Sequence, residues 1–223
     1  GAFAEVSISD DAVWAGGGVA LPVLARRSAS AGLAGLEFYV GIPGTVGGAV
    51  RMNAGGHGRQ TSDVLLHADV VDLRGGGFAT RWTAEELAFT YRGSALGPPH
   101  LVVGSVFKVD PSEPASCLER VAEIVRWRRR NQPGGANGGS VFRNPVEEAA
   151  GALIDRCGLK GLRIGGAEVS GVHANFIQAA PNACAADVVA LIREVQRRVA
   201  DATGVVLVPE LHLVGFEAAR DAR

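Results

Sequence analysis

The sequence is poor in the residues that build disulfide frameworks and metal centres. It contains three cysteines, Cys117, Cys157 and Cys184, and five histidines in 223 residues. The cysteines fit neither a disulfide framework nor metal-ligand spacing, and the histidines are scattered along the chain. We therefore expect three small buried thiols and no metal site.

Charge of one sign and long apolar runs are also scarce. The formal net charge is −1, and no long basic stripe accompanies the four arginines between residues 126 and 130, which argues against nucleic acid as the main partner. No apolar run approaches the length of a membrane span, and the first residues lack the charged and apolar regions of a signal peptide. We expect a cytoplasmic protein with neither nucleic acid nor membrane as partner.

The common nucleotide-binding motifs are absent, although the chain has 31 glycines. Neither G-x-G-x-x-G after a strand nor G-x-x-x-x-G-K-[ST] occurs. The longest glycine-rich run, residues 41–56, reads GIPGTVGGAVRMNAGG and is called here the first glycine segment. Its small residues would let bare N–H groups approach a flat or phosphorylated ligand. A glycine-rich turn between two strands is the alternative interpretation.

Hydrophobic periodicity predicts helices and strands without strict βαβ alternation, which favours an α+β fold in two lobes. We predict a first domain over residues 1–110 and a second over 111–223. Residues 134–140, the second glycine segment, are predicted to be a flexible seam that forms the second half of the site. The predicted helices span residues 21–31, 111–130, 149–157 and 185–203, with Asn182 as the cap of the last and Gly204 as its end. The predicted strands span residues 3–8, 64–73, 78–82, 101–109, 164–169, 175–179 and 211–216, with the second and third forming a hairpin.

Three polar residues stand in settings that invite a chemical role, namely Arg92, Ser140 and Glu210. Taken singly, each has a simpler interpretation, as a surface arginine, a turn serine and an exposed carboxylate. Only their common context distinguishes these alternatives.

That context is a resemblance to a known family. The first glycine segment resembles the flavin-contacting loop of the UDP-N-acetylenolpyruvoylglucosamine reductases, Gly-Ile-Pro-Gly-Thr-Val-Gly-Gly-Ala followed by Met-Asn-Ala-Gly. The family's Tyr-Arg pair, its Gly-Ser-x-Phe-x-Asn-Pro segment and its C-terminal Pro-Glu follow in the same order, at Tyr91-Arg92, residues 139–145 and Pro209-Glu210. Segments 150–161 and 164–176 agree as well. The resemblance covers nearly the whole chain, and so many segments in order argue against coincidence.

The resemblance implies an α+β fold with part of a FAD-binding domain of the vanillyl-alcohol-oxidase/PCMH type, followed by a smaller C-terminal substrate domain. Members carry a further N-terminal lobe, which we expect to be missing because the chain opens without Met inside a predicted strand. A second departure is Asn131, which stands where members often carry a lysine. If that lysine meets substrate phosphate, Arg130 or Arg128 would have to replace it.

The resemblance also implies an activity, the FAD- and NADPH-dependent reduction of UDP-N-acetylglucosamine enolpyruvate to UDP-N-acetylmuramate in peptidoglycan precursor synthesis. We expect a monomeric enzyme. The implied catalytic residues are Arg92, Ser140 and Glu210, and the implied substrate-binding residues are Tyr91, Arg130 and Asn144. The implied cofactor-binding residues are Gly41, Ile42, Pro43, Gly44, Thr45, Val46, Gly47, Gly48, Asn53, Ala54 and Gly55.

These residue types suit the implied chemistry. Hydride addition to the vinyl carbon pushes negative charge onto the carboxylate, which the fork of the Arg92 guanidinium matches. Glu210, kept protonated by burial, would donate a hydrogen bond to the same group. Ser140 is a weak acid, but an enolate-type carbon is basic enough to take its proton. With no separate nucleotide motif in view, NADPH and substrate would use one cleft in succession.

Two other functions stay open. Another flavoprotein of the same cofactor fold, such as an oxidase of a sugar or an alcohol, would work with oxygen and without NADPH. A non-catalytic remnant that binds nucleotide sugars would hold no flavin. The joint presence of Arg92, Ser140 and Glu210 argues against the second of these.

Overall fold

The computed structural model describes residues 1–216, which divide into two compact units. The first comprises Gly1–Arg128 and the second begins at Arg129, later than the boundary predicted at residue 110. The boundary differs because of the helix Pro114–Asn131, which lies within the predicted second domain. Its Cys117 and Val121 are buried in the core of the first unit, with Ile124 packed against the same core.

The first unit is built on a five-stranded antiparallel sheet with strand order β1-β2-β8-β6-β7. Two short antiparallel pairs, β3 with β9 and β4 with β5, lie outside it. The strands are β1 (Val6–Ile8), β2 (Ala12–Gly16), β3 (Leu33–Ala34), β4 (Gly55–Gly56), β5 (Arg59–Gln60), β6 (Leu65–Asp72), β7 (Ala79–Thr83), β8 (His100–Lys108) and β9 (Asp110–Pro111). The helices are α1 (Leu21–Ser30), α2 (Val46–Met52) and α3 (Pro114–Asn131), with 3₁₀ turns at Ala2–Ala4, Glu37–Gly41 and Thr61–Asp63.

Local sequence explains most of these elements. α1 has proline in its first turn, buries Leu21, Leu24 and Ala25, and ends just before Gly32 at φ +72°. In the sheet, Val13 of β2 pairs with Phe107 of β8, and both side chains are fully buried. The predicted α1 and the hairpin of β6 and β7 are confirmed. The predicted strand over residues 3–8 is a strand only from Val6, because a 3₁₀ turn occupies its start.

The second unit contains a four-stranded antiparallel sheet with strand order β10-β13-β12-β11. Its elements are β10 (Asn137–Ser140), β11 (Arg163–Ile164), β12 (Ala167–Val169), β13 (Phe176–Ala179), α4 (Ala150–Arg156) and α5 (Ala185–Thr203). α5 buries Val189, Ile192, Val195 and Val199 at helical spacing, and the last three lie in the same core as Leu153 of α4. The mixed order of helices and strands confirms the α+β class.

Three details of the second unit differ from prediction. The cap of α5 is Cys184 and not Asn182, because Asp187 accepts the Cys184 backbone N–H at 3.1 Å and so closes a capping box. Residues 211–216 form bends and turns where a strand was predicted. Of the three thiols, only Cys117 is buried, and Cys184 is exposed. The predicted end of α5 at Gly204 is confirmed, with φ +75°.

Residues 1–216 include no helix with both the length and the apolar composition of a membrane span. In the same residues, no cluster of three or more His, Cys, Asp or Glu side chains is arranged to hold a metal ion.

Candidate functional site

The first glycine segment folds onto the protein instead of forming an open loop. Its centre is α2, which Thr45 caps by accepting the Gly48 N–H at 3.4 Å. The Val46 N–H donates to the Val19 carbonyl at 2.9 Å, and the Gly47 N–H donates to the Gly17 carbonyl at 2.8 Å. The segment was expected to offer bare N–H groups to a ligand, but the N–H groups of Val46, Gly47 and Gly48 are already bonded within the chain.

The glycines at the centre of this segment serve close packing. A Cβ atom on Gly47 would lie 3.2 Å from the Gly17 carbonyl oxygen, and one on Gly17 would lie 2.0 Å from that of Val102. Gly41 is also enclosed, since its Cβ would meet Arg128, Ile124 and His57 at 3.1 to 3.3 Å. A side chain at Gly17 would collide with the backbone of Val102, and side chains at Gly41 or Gly47 would require their neighbours to shift.

The outer end of the segment has a different character. Gly44 has φ +124°, and no heavy atom of the described residues lies within 4 Å of where its Cβ would stand. Inside residues 1–216, the backbone N–H groups of Gly44 and Thr45 have no intramolecular acceptor. These two amides are the donors that the segment offers to a ligand.

A cavity of about 270 Å³ adjoins this end. Glycines form much of its wall, and a Cβ on Gly18 would already stand 2.9 Å from the Phe3 carbonyl oxygen. Arg51 contributes a half-buried cation to the lining, and its guanidinium donates to the Leu96 carbonyl at 3.1 Å. A glycine wall, two unpaired amides and a cation suit a phosphate-bearing cofactor, so the residues present fit FAD. The other lining residues are Gly17, Thr45, Gly47, Gly48, His100, Leu101 and Val102.

His57, which follows the first glycine segment, is an exposed residue whose ring packs edge-on to Trp127, with the ring centroids 5.1 Å apart. Partial burial lowers its pKa, and the positive charge of Arg128 lowers it further. The neutral imidazole is therefore the favoured form beside Gly41.

Arg92 and the end of the first glycine segment meet in the first unit. The Arg92 guanidinium donates to the Gly55 carbonyl at 3.1 Å and to the Asn53 carbonyl at 3.4 Å. It also lies over the Tyr91 ring, with Cζ 5.0 Å from the centroid. The structure thus brings one predicted catalytic residue together with three predicted binding residues. Gly55 and Arg92 line a second cavity of about 400 Å³ with Arg59, Gln60 and Asp63.

Ser140 lies in the second unit, directly after a β-bulge. Between β10 and β13, Asn137 pairs with Gln178 and Ser140 pairs with Phe176, so β10 carries one extra residue. Gly139 in the bulge has φ +83°, which favours glycine. The second glycine segment, predicted to be flexible, therefore ends in an ordered strand. Bulges near sites often re-aim a side chain, here that of Ser140.

A polar cavity of about 320 Å³ contains Ser140 in its lining. Asn144 also lines it and accepts the Ala150 N–H through Oδ1 at 3.1 Å. Lys160 pairs with Asp155 at 2.6 Å. Burial lowers the pKa of His173, and nearby Lys160 lowers it further, so neutral imidazole is favoured here too.

Lys160, His173 and Asn175 in this lining were not predicted as site residues. Asn175 is buried, accepts the Phe142 N–H at 2.9 Å and donates to the Phe142 carbonyl at 2.8 Å. It thereby fixes the backbone two residues after Ser140. The sequence contained a signal for them, because segments 150–161 and 164–176, which carry these residues, resemble the family. That resemblance alone assigned them no role.

Glu210 lies on a segment that pairs with the chain after Ser140. Its N–H donates to the Val141 carbonyl at 2.8 Å, and Pro209 forms an isolated bridge with Phe142. Glu210 is half-buried. The second unit therefore brings two of the three predicted catalytic residues to neighbouring backbone positions. Arg130 is exposed in the last turn of α3.

Comparisons with known proteins identify relatives of both parts of the chain. Residues 2–79 match the family described as FAD binding domain, and residues 131–214 match the C-terminal domain of UDP-N-acetylenolpyruvoylglucosamine reductase. The reductase of that name from Synechococcus sp. is 48% identical over 210 residues, which cover 92% of this chain and 67% of the relative. The one from Paramagnetospirillum magneticum is 42% identical over 223 residues, covering 100% of this chain and 71% of the relative.

A solved structure is similar as well. The crystal structure of UDP-N-acetylenolpyruvylglucosamine reductase from Thermus caldophilus has a TM-score of 0.80 and 40% sequence identity, covering 89% of this chain and 71% of that one. By sequence and fold, this chain belongs to the UDP-N-acetylenolpyruvoylglucosamine reductase family.

Proposed function

We propose that the chain catalyses the FAD-dependent, NADPH-driven reduction of UDP-N-acetylglucosamine enolpyruvate to UDP-N-acetylmuramate, a step of peptidoglycan precursor synthesis. Family membership supports this activity. The structural observation that carries it is Ser140, which a bulge aims beside the segment of Glu210 and into the lining of a polar cavity. In this proposal the first unit binds the cofactor and contributes Arg92, and the second unit contributes Ser140, Glu210 and Asn144.

When bound, FAD would supply the hydride chemistry, taking its electrons from NADPH and delivering a hydride to the terminal vinyl carbon. The amides of Gly44 and Thr45 and the cation of Arg51 would hold it in the first unit, since these donors line or adjoin the glycine-walled cavity. The remaining steps belong to side chains of the protein.

Arg92 would hold the substrate carboxylate. As the vinyl carbon gains hydride, the electron pair of the double bond moves toward this carboxylate, and a guanidinium stabilises the charge that develops there. Tyr91 beneath the guanidinium and the carbonyls of Asn53 and Gly55 fix its orientation. Orientation matters because a fixed donor needs no reorganisation during the reaction.

Ser140 Oγ would then give its proton to the carbon that bears the ether oxygen and the carboxylate, which completes the saturated lactyl ether. Glu210 in its protonated form would donate a hydrogen bond to the same carboxylate and limit the charge on it. Asn144 would contact the substrate from the cavity that contains Ser140, and Arg130 would meet its diphosphate.

The test follows the flavin absorbance of protein that has been loaded with FAD and freed of excess. We expect NADPH to bleach the band and the enolpyruvyl substrate to restore it without oxygen. Restoration by oxygen alone would support an oxidase of the same cofactor fold. Absence of retained flavin together with binding of a UDP-sugar would support a non-catalytic role.

We further propose that the protein acts as a monomer in the cytoplasm. The proposed step of peptidoglycan precursor synthesis supports this placement. Light scattering coupled to size-exclusion chromatography should give the mass of a single chain, 23.0 kDa.

A further inference from the structure

We infer that Asn53 is a positioning residue for Arg92 and that its side chain does not contact the cofactor. This inference rests on the proposed function, because it assigns Asn53 to the arginine that would bind the substrate carboxylate. It replaces the direct cofactor contact that the sequence resemblance implies for the same residue.

The side chain of Asn53 is buried and already bonded. The residue is 1% exposed and caps α2 in the left-handed conformation, with φ 43°. Its Oδ1 accepts the Ser62 N–H at 3.0 Å, while Nδ2 donates to the Thr90 carbonyl at 3.0 Å and to Gln60 Oε1 at 3.3 Å. An amide has two N–H donors, and both are used here. The geometry thus directs the Asn53 amide into the protein.

The bond to Thr90 holds the turn that carries Arg92. Thr90 and Gly93 exchange N–H···O bonds of 3.0 and 3.3 Å across this turn. Arg92 between them has φ 55°, a left-handed conformation that costs a non-glycine residue roughly 1 kcal/mol or more. Such a residue persists only where its surroundings determine its conformation. Through its hydrogen bond to the Thr90 carbonyl, Asn53 holds this conformation from outside the turn.

The contact also runs in the opposite direction. The Arg92 guanidinium donates to the carbonyls of Asn53 and Gly55, so the backbone at Asn53 orients the side chain of Arg92. The Asn53 side chain holds the backbone at residue 90, and the Asn53 backbone holds the side chain at residue 92. These two interactions, which we call the 53–92 lock, fix the backbone position from which the Arg92 side chain extends and the orientation of its guanidinium.

The test variant is Asn53→Gly, because glycine keeps the left-handed backbone and removes only the amide. Hydrogen exchange should become faster at the Thr90 and Gly93 amides, with or without FAD. In stopped-flow measurements on FAD-loaded protein, reoxidation by the enolpyruvyl substrate should slow by about 10²-fold, since a misplaced group costs that much. Reduction by NADPH should change by less than about threefold, because it does not use Arg92.

Three further variants keep the test decisive. Tyr39→Phe is the matched control, because it removes another buried hydrogen bond, 3.0 Å to Thr61 Oγ1, without touching the turn. It should leave both half-reactions and the exchange at residues 90 and 93 unchanged. Asn53→Asp retains the acceptor for Ser62 and loses the donor to Thr90, so it serves if the glycine variant does not fold. In a protein that already carries Arg92→Lys, adding Asn53→Gly should slow reoxidation by a further factor of less than about three, because the two residues act as one unit.

Two outcomes would overturn the inference. Equal slowing of both half-reactions would indicate that Asn53 contacts the cofactor directly. Unchanged hydrogen exchange at Thr90 and Gly93 would show that Asn53 does not hold the turn. Failure of the parent protein to turn over the enolpyruvyl substrate would reject the proposed function instead, while the exchange measurement would still test the 53–92 lock.

Discussion

The two glycine segments look alike in sequence and are built in opposite ways. In the first, glycine removes side chains that would strike the backbone, as at Gly47 and at its neighbour Gly17. In the second, Gly134 and Gly139 face open space, with no heavy atom of residues 1–216 within 4 Å of an added Cβ. Glycine density therefore reports two separate needs, close packing in one unit and a left-handed bulge in the other.

The difference teaches where stability and chemistry depend on each segment. Substitutions at the packed glycines of the first segment, Gly41 and Gly47, should act through the fold, because the neighbouring atoms must shift. Substitutions at Gly134 or Gly139 in the second should act through the placement of Ser140, since no described heavy atom lies within 4 Å of a Cβ at either position. Each of the following changes tests one side of this contrast.

Ser140→Ala should have the largest effect and should leave the fold intact. Removing a positioned proton donor slows the step it serves by about 10² to 10⁴-fold. We expect that loss in reoxidation of the reduced flavin by substrate, with NADPH-driven reduction unchanged. The free energy of unfolding should change by less than about 0.5 kcal/mol, because Ser140 is an exposed residue. Equal reoxidation rates in variant and parent would remove Ser140 from the mechanism.

Gly17→Ala should show the opposite pattern. A Cβ atom at this position would stand 2.0 Å from the Val102 carbonyl oxygen. Strand β8 would therefore have to move away from the segment that joins β2 to α1. We expect a loss of about 3 kcal/mol in the free energy of unfolding, measured by urea denaturation. Gly75→Ala is the control, since a Cβ there meets no heavy atom of the described chain within 4 Å. Similar midpoints for the two variants would show that the backbone on which Gly47 packs does not depend on close packing.

Gly139→Ala should have an intermediate effect of about 1 kcal/mol, which is the cost of the left-handed conformation for alanine. No collision accompanies it, so the loss measures backbone strain alone. Gly134→Ala, at an open position outside the positive-φ set, should change stability by less than about 0.5 kcal/mol. Thermal unfolding of both variants checks this, and equal melting temperatures would mean that the bulge adapts to a side chain.

The smallest effect concerns pH. Burial and Lys160 lower the pKa of His173 from its ordinary 6.5, so the unfolded chain binds more protons than the folded one just below that pH. Stability should therefore fall as the pH decreases below 6.5 and should show no contribution from His173 well above it. His173→Gln should flatten this dependence in melting temperatures measured from pH 7.5 to 5.5. An unchanged slope would exclude His173 as its source, leaving His57, whose pKa is shifted in the same direction.

Sequence patterns predicted the local elements well. The α5 helix runs from Ala185 to Thr203 as predicted, because apolar residues at helical spacing and the terminal Gly204 are local signals. The predictions failed where contacts between residues far apart in the sequence determine the structure. Residues 137–140 became a strand through pairing with β13, and the boundary between units moved because α3 buries its apolar face in the first core.

The site divides in the same way. Motif order identified Arg92, Ser140 and Glu210 as candidates, and their roles stay predictions until the kinetics are measured. The positioning roles of Asn175 and Asn53 were not visible in the sequence, because Asn175 reaches Phe142 across 33 positions and Asn53 reaches Thr90 across 37. Both are amides that bond to backbone groups far along the chain, which no side-chain pattern marks.

The internally bonded start of α2 has a consequence for how a ligand binds. Because Val46, Gly47 and Gly48 already donate to the protein, the segment keeps its shape by itself and association does not have to order it. The entropy of loop folding is then absent from the binding free energy. Association should proceed as rigid docking onto the amides of Gly44 and Thr45, with rates governed by diffusion and charge and not by a conformational step.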